Sequence, residues 1–128
     1  MLAQGSRPQL NATLYALEIH VKIPNSKEAQ VSEAKLREYL LSTDHTIGRF
    51  KARFFAGLGF TNENWTELRG QLLELANGDA ELVEGAEYGQ KYRVLGTLEG
   101  PRGAAEVVAV WIVLTGDDVP RLVTVYPR

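Results

Sequence analysis

Cysteine is absent from this chain of 128 residues, and histidine occurs only twice. The absence of cysteine excludes disulfides, zinc–thiolate sites and cysteine nucleophiles together. The two histidines, His20 and His45, stand too far apart for a paired zinc-binding motif on one helix, so the sequence predicts neither a metal nor a cofactor. Neither sign of charge dominates, because the formal net charge is only -2. Any binding to a polyanion such as RNA therefore depends on a local patch.

Long hydrophobic runs are also absent. The longest covers residues 107–114, far fewer than the roughly 20 residues that a membrane-spanning helix needs. Residues 1–10 lack the apolar run of a secretory signal, so the sequence predicts no membrane association and a cytoplasmic location. With 45% apolar and 23% charged residues, the composition is that of an average globular domain. We expect an amino-terminal extension with a strand over residues 1–22 and a single α+β domain over residues 23–128.

The first part of the chain has helical hydrophobic spacing after one strand. A two-residue alternation over residues 15–23 predicts that strand. Ser32 is a typical N-cap, and it precedes the first helical pattern. A second pattern covers residues 47–58 and stops at Gly57 or Gly59. A third covers residues 65–76, with Thr61 or Asn62 as the predicted cap.

The second part of the chain has the composition of a β-sheet. Three stretches are rich in β-branched and aromatic residues and are separated by turn residues, and these are 88–98, 105–114 and 122–126. The order of elements predicts an α+β fold with about three helices packed on one face of an antiparallel sheet of about four strands. The strand over residues 105–114 is apolar on both faces, which predicts a central position in the sheet.

The charges are unevenly distributed along the chain. Residues 45–62 contain Arg49, Lys51 and Arg53 and no acid, whereas residues 71–90 contain five acids and no base. This asymmetry predicts a local positive field at the second helix. It is an equally good interpretation that the basic and the acidic segments are two ordinary faces of the protein exposed to solvent.

Two residues at the second helix are candidates for chemistry. Lys51 falls inside the apolar arc of that helix, which indicates either a cavity that receives the ammonium or a stem that follows the edge of the core with its head in water. His45, at the entry to the helix, titrates near neutrality and is the best acid or base candidate. The alternative for His45 is a capping or loop residue.

Several stretches of the chain resemble an uncharacterised bacterial family, the domain of unknown function 6883. In the first half they are residues 35–41, 45, 48–49, 51–52, 54–55 and 58–60, and in the second half residues 88–92, 100–103, 111–112 and 120–127. The resemblance runs from about residue 23 to the end. It implies a toxin-like module similar in layout to the ribonuclease superfamily of barnase, EndoU and RelE-like proteins, in which helices precede a four-stranded antiparallel sheet.

That resemblance implies a site for RNA cleavage without a metal ion. The superfamily's histidine, basic residue and Ser/Thr plus aromatic pair correspond here to His45, Lys51 or Arg49, Thr124 and Tyr126. Such cleavage needs a base, an acid and positive charge at the phosphate. His45 is then base or acid and Lys51 the phosphate-binding cation. Thr124 and Tyr126 are hydrogen-bond donors, and Arg49 and Arg53 bind the substrate.

Other interpretations of the same residues are open. Residues 124 and 126 share one face of a strand, but Thr and Tyr are also ordinary strand residues. The chain can be an active ribonuclease whose partner is RNA, or a copy that has lost activity. The alternative is a non-catalytic protein-binding module, an immunity or accessory protein with a cognate protein partner. The acidic stretch 74–87 and an open sheet edge would then bind that partner.

Overall fold

The computed structural model describes residues 20–42 and 48–128, and for residues 48, 49 and 84–86 it describes the backbone only. The predicted strand residues before His20, and His45 itself, lie outside the described part. Within it, the chain has an α+β fold with three helices and a five-stranded antiparallel sheet. The fold class predicted from the sequence is confirmed.

The strands lie in the sheet in the order in which they occur in the chain. They are β1 (His20–Lys22), β2 (Asp79–Ala86), β3 (Gly89–Gly100), β4 (Gly103–Leu114) and β5 (Arg121–Pro127). β4 pairs with β3 on one side and β5 on the other, so it is an interior strand, as its two apolar faces require. The middle position of the sheet, predicted for this segment, belongs instead to β3.

The strand that sequence analysis missed is β2. Its acids suggested a solvated stretch, but Ala80 is buried while the flanking Asp79 and Glu81 lie on the other face, next to basic residues of neighbouring strands. Lys22 of β1 pairs with Asp79 at 3.1 Å, and Arg93 of β3 pairs with Glu81 at 2.7 Å. A strand can have few apolar residues when its buried residues alternate with charged residues that form ion pairs with the neighbouring strands. The sheet therefore has five strands rather than four.

Three helices precede β2. A 3₁₀ turn, Ser26–Glu28, is followed by a π-helix, Lys35–Leu40, and two α-helices, α1 (Gly48–Gly57) and α2 (Trp65–Leu75). The Ser32 hydroxyl accepts a hydrogen bond from the Lys35 amide at 3.0 Å, which confirms Ser32 as a capping residue. The Leu41 amide donates to the Leu36 carbonyl, five residues earlier, at 2.8 Å, the hydrogen bond that defines a π-helix.

Helix α1 ends in a Schellman motif. The Gly59 amide donates to the Ala56 carbonyl and the Phe60 amide to the Phe55 carbonyl, both at 2.9 Å. Gly59 has a φ of 95°, which glycine adopts without steric cost, so the predicted stop at this glycine is confirmed. The residue before α2 is Asn64, not Thr61 or Asn62, and its side-chain amide donates to the Gly59 carbonyl at 2.9 Å, which links the two helices.

The hydrophobic core lies between the helices and one face of the sheet. The helices contribute Leu36, Leu40, Phe55, Leu58, Leu68 and Leu72, and the sheet contributes Ala80, Tyr92, Val94, Leu98, Val107, Ala109, Trp111, Leu122 and Val125. The sheet residues alternate along their strands, as expected when one face is buried. Their neighbours in sequence, such as Arg93 of β3, lie on the opposite face of the sheet by that alternation.

The turn between β3 and β4 docks on the end of α1. The Arg102 amide donates to the Leu58 carbonyl at 2.9 Å. The approach is so close that a Cβ on Gly100 would lie 2.0 Å from the same carbonyl oxygen. Only glycine fits there, and the contact fixes the carboxyl end of α1 against the sheet.

Candidate functional site

Lys51 lies on the inward side of α1. Ala52 and Phe55 of the same helix, and Leu58 directly after it, are buried in or beside the core, and Lys51 is half-buried one turn before Phe55. An ammonium held at this depth loses part of its hydration, which is costly unless polar or aromatic groups replace the lost water. Lys51 and the groups around it are therefore the strongest candidate for a functional site in the described residues.

Two groups from other elements contact the Lys51 ammonium. Its Nζ donates a hydrogen bond to Oγ1 of Thr124 on β5, and it lies 5.4 Å from the ring centroid of Tyr39 on the π-helix. The second contact is a cation–π interaction. β5 is an edge strand of the sheet, which allows a side chain of α1 to meet Thr124. The site is thus built from three separate elements.

A second ammonium belongs to the same cluster. Nζ of Lys35 also lies 5.4 Å from the Tyr39 ring centroid. Burial lowers the pKa of Lys51, and the nearby positive charge of Lys35 lowers it further. Neither lysine forms an ion pair with a carboxylate among the residues that the structure describes. Two like charges with no described counter-ion form a site of positive potential, which we call the lysine cluster (Lys35, Tyr39, Lys51 and Thr124).

Irregular backbone positions three members of the lysine cluster, Lys35, Tyr39 and Thr124. Lys35 and Tyr39 both belong to the π-helix, a rare conformation that occurs frequently at functional sites. In β5, Val110 of the neighbouring strand pairs with Thr124 while Trp111 pairs with Leu122, so Val123 is an extra residue that forms a β-bulge beside Thr124. Bulges re-aim side chains and are enriched next to active sites. Tyr39 of the π-helix and Thr124 beside the bulge therefore both contact the Lys51 ammonium.

The remaining predicted site residues have different surroundings. Tyr126 follows Thr124 on the same face of β5, and its phenol contributes, after Glu81, to a raised pKa of Arg93. Arg53 is exposed on α1, and its guanidinium lies 6.0 Å from the ring centroid of Phe50. Arg49 belongs to α1, but its side chain is outside the described part, as is the whole of His45. The structure thus brings Lys51 and Thr124 together and places Tyr126 beside Arg93.

The acidic stretch 74–87 is not an independent patch of the surface. Its central part is β2, and two of its carboxylates, those of Asp79 and Glu81, are neutralised by Lys22 and Arg93. These pairs are largely exposed and contribute little to stability. They reduce the negative potential that made this stretch a candidate docking surface for a basic partner.

Two of the surface cavities have linings of mixed charge. One of about 530 Å³ is lined by Glu33, Ala34, Arg37, Glu38 and Asn62. Within it, Glu33 and Arg37 form an ion pair of 2.8 Å one helical turn apart. Another of about 300 Å³ includes His20, Asp79, Glu81 and Arg93 on the outer face of the sheet. Because their main charged groups are already paired, these cavities offer weaker attraction to a charged ligand than the lysine cluster does.

Sequence analysis missed two members of the lysine cluster. Lys35 and Tyr39 both lie in residues 35–41, which the sequence analysis used only for the family resemblance. Their spacing of four residues was the available signal, since such a pair lies on one side of a helix. The pattern that indicates such a cluster is a lysine and an aromatic residue at this spacing, followed by a lysine inside the apolar arc of the next helix.

The fold and the site together define the class of protein, which is an α+β domain with a cationic cluster at the edge of its sheet. A profile of the domain of unknown function family DUF6883 matches residues 22–128, and the chain belongs to this family. Searches of curated proteins and of solved structures found no significant match. Among residues 20–42 and 48–128, no cluster of three or more His, Asp or Glu side chains could hold a metal ion. No helix in this part of the chain is long and apolar enough to cross a membrane.

Proposed function

We propose that this domain is a toxin-like ribonuclease that cleaves RNA without a metal ion, and that the lysine cluster binds the phosphate at which the RNA is cut. One observation carries the proposal. The Lys51 ammonium is half-buried, is hydrogen-bonded to Thr124 and lies close to Lys35, with no described carboxylate to balance it. A phosphate would supply the missing negative charge, and its charge increases in the transition state.

The reaction proposed here is a transesterification within the RNA, in which phosphorus exchanges its bond to the 5′ oxygen for a bond to the 2′ oxygen. A base removes the proton of a ribose 2′-hydroxyl, the 2′ oxygen attacks phosphorus, and the bond from phosphorus to the 5′ oxygen breaks. His45 is the proposed base. Lys51 stabilises the charge on the phosphate, and because its pKa is lowered it also gives up a proton to the departing 5′ oxygen more readily than an exposed lysine. The products are a 2′,3′-cyclic phosphate and a 5′-hydroxyl.

Thr124 has a supporting role in this proposal. A hydroxyl accepts through its oxygen and donates through its hydrogen, so accepting from Lys51 leaves the hydrogen for a phosphate oxygen. The hydrogen bond also orients the ammonium on its flexible stem, which reduces the entropy lost when substrate binds. Tyr126 is a further donor in the proposal, and the same phenol serves Arg93 when no substrate is bound.

Cleavage of a fluorescent RNA in EDTA tests the proposal. We expect the wild type to produce 2′,3′-cyclic phosphate ends, and Lys51→Met to lower the rate about 100-fold or more, as for loss of one transition-state donor. Thr124→Val removes the hydroxyl at nearly constant volume and should cost about tenfold, the effect of one neutral hydrogen bond. Replacing the ribose at the cut site by 2′-deoxyribose should stop cleavage, because the nucleophile is then missing.

The controls separate the lysine cluster from general positive charge. Lys27 is exposed on the 3₁₀ turn, and Lys27→Met removes the same charge from the chain without touching the cluster, so its rate should match the wild type. Equal losses for Lys27→Met and Lys51→Met would contradict a specific role for Lys51. Wild-type protein that leaves total RNA and tRNA intact at high concentration would refute the ribonuclease proposal itself.

A further inference from the structure

Helix α1 exposes a large aromatic side chain next to Lys51. Phe50 is 65% exposed, and a phenylalanine leaves apolar surface in contact with water at this level of exposure. It is not one of the residues that the resemblance or the charge pattern indicated. Because consecutive helical residues project about 100° apart, Phe50 and Lys51 are neighbours along α1 that project in different directions.

The charged neighbours of Phe50 on α1 are all basic. The Arg53 guanidinium lies 6.0 Å from the ring centroid. The helix sequence Gly48–Gly57 contains Arg49, Lys51 and Arg53 and no acid. A ligand that matches this surface has flat apolar faces and carries negative charge at short intervals. Unpaired nucleotides fit this description, since every base has a face that stacks on aromatic rings and every linkage carries a phosphate.

We infer that Phe50 and Arg53 form a stacking site for an unpaired base of single-stranded RNA, and that this site delivers the adjoining phosphate to the lysine cluster. The inference rests on the proposed function, and it specifies the substrate as single-stranded. In a duplex the faces of the bases are covered by their neighbours, so Phe50 has nothing to stack on. Arg53 contributes both to the ring contact and to the attraction of the backbone.

Binding to RNA that cannot be cut tests this inference separately from cleavage. The probe is a fluorescein-labelled 12-nucleotide RNA with 2′-O-methyl groups throughout, which lacks the nucleophile, and the readout is fluorescence anisotropy at fixed salt. We expect Phe50→Ala to weaken binding of the single strand roughly 5- to 100-fold, the loss typical of one stacked base. Phe50→Trp should bind at least as tightly as the wild type, and Phe50→Leu should resemble Phe50→Ala, because an aliphatic side chain is apolar but does not stack.

A matched control and a duplex complete the design. Tyr88 is another exposed aromatic residue, 59% accessible, that follows an acid, Glu87, in the β2–β3 turn, and Tyr88→Ala should leave binding unchanged. The same 12-mer annealed to its complement should bind Phe50→Ala and wild type equally. Equal binding of wild type and Phe50→Ala to the single strand, or equal losses on single strand and duplex, would overturn the inference, as would a loss in Tyr88→Ala as large as in Phe50→Ala.

The two proposals fail in different assays. If Phe50→Ala loses single-strand binding but no RNA is ever cut, the stacking site stands and the ribonuclease is refuted. If the wild type cuts RNA and Phe50→Ala binds and cuts like it, the ribonuclease stands and the stacking site is refuted. Normal RNA binding by Phe50→Ala is also the result expected if this surface serves a protein partner instead.

Discussion

Gly100→Ala should destabilise the protein because it separates the β3–β4 turn from helix α1. An added Cβ would lie 2.0 Å from the Leu58 carbonyl oxygen, 2.8 Å from its carbon and 3.0 Å from the Phe60 ring, whereas ordinary contact begins at 3.4 Å. The nearest groups are backbone, which cannot rotate away. The turn must therefore move by more than about 1 Å, and this movement breaks the hydrogen bond from Arg102 to the same carbonyl.

The expected cost combines these two effects. Overpacking costs about 1–3 kcal/mol, and the lost hydrogen bond adds about 1 kcal/mol. We expect a decrease of about 2–4 kcal/mol in the free energy of unfolding, out of a total of about 5–15 kcal/mol for a domain of this kind. The corresponding decrease in Tm is roughly 6–20 °C for a chain of this length.

Urea denaturation followed by far-ultraviolet circular dichroism measures this difference, and the same turn supplies the control. Gly103 is the cross-strand partner of Gly100, and a Cβ there meets nothing within 4 Å. Gly103→Ala should change stability by no more than about 0.5–1 kcal/mol, in either direction. Equal stabilities for the two variants would refute the reasoning, because both make the same chemical change and only one creates the clash.

Three further predictions concern charge, a side-chain clamp and the end of α1. Because the native pKa of Lys51 lies below its ordinary value of 10.5, the unfolded chain binds more protons in the window between the two values, and stability rises with pH there. In urea titrations from about pH 8 to 10.5, the wild type should therefore gain stability relative to Lys51→Met, and a constant difference would contradict the lowered pKa. Gln71 on α2 donates to the Glu99 carbonyl at 2.5 Å and accepts from the Glu99 amide at 2.7 Å, so Gln71→Ala should cost about 1–2 kcal/mol in the same denaturation assay. Gln71→Glu keeps the acceptor but loses the donor, so a stability equal to the wild type would exclude the clamp. Gly59→Ala should lower the Tm in a calorimetric scan, because its φ of 95° costs a residue with a Cβ about 1–2 kcal/mol, whereas Gly57→Ala, which meets nothing within 4 Å, should not.

The sequence predicted the elements whose periodicity comes from burial on one side. Helix α1 and strands β3 and β5 follow this rule, whereas β4 was recognised by apolar residues on both faces, and the ends of these elements coincide with glycine and proline turns. β2 escaped notice because its stability comes from pairing on both sides rather than from its own apolar residues. A strand of that kind is defined by its neighbours, which are distant or later in the chain.

The candidate site was predictable only in part, for a related reason. The position of Lys51 inside the apolar arc follows from the helical repeat alone, so it singled out this residue. Its partners, Thr124 and Tyr39, come from elements on either side of α1 in sequence, and their approach depends on the order of the strands, the bulge at Val123 and the π-helix. None of these irregularities has a signature in hydrophobic spacing.

The pairing of β1 with β2 joins the two ends of the helical segment. β2 to β5 are a meander in which each strand lies beside the next in the chain, but His20 of β1 is opposite Glu81, so the whole helical layer is a loop closed by three pairs of residues. Closing a loop of that length has an entropic cost that grows slowly with the number of residues. The hairpins of the meander close short loops, whereas the pairing of β1 with β2 closes the long loop that contains the helices and Lys51, so this pairing has the larger entropic cost.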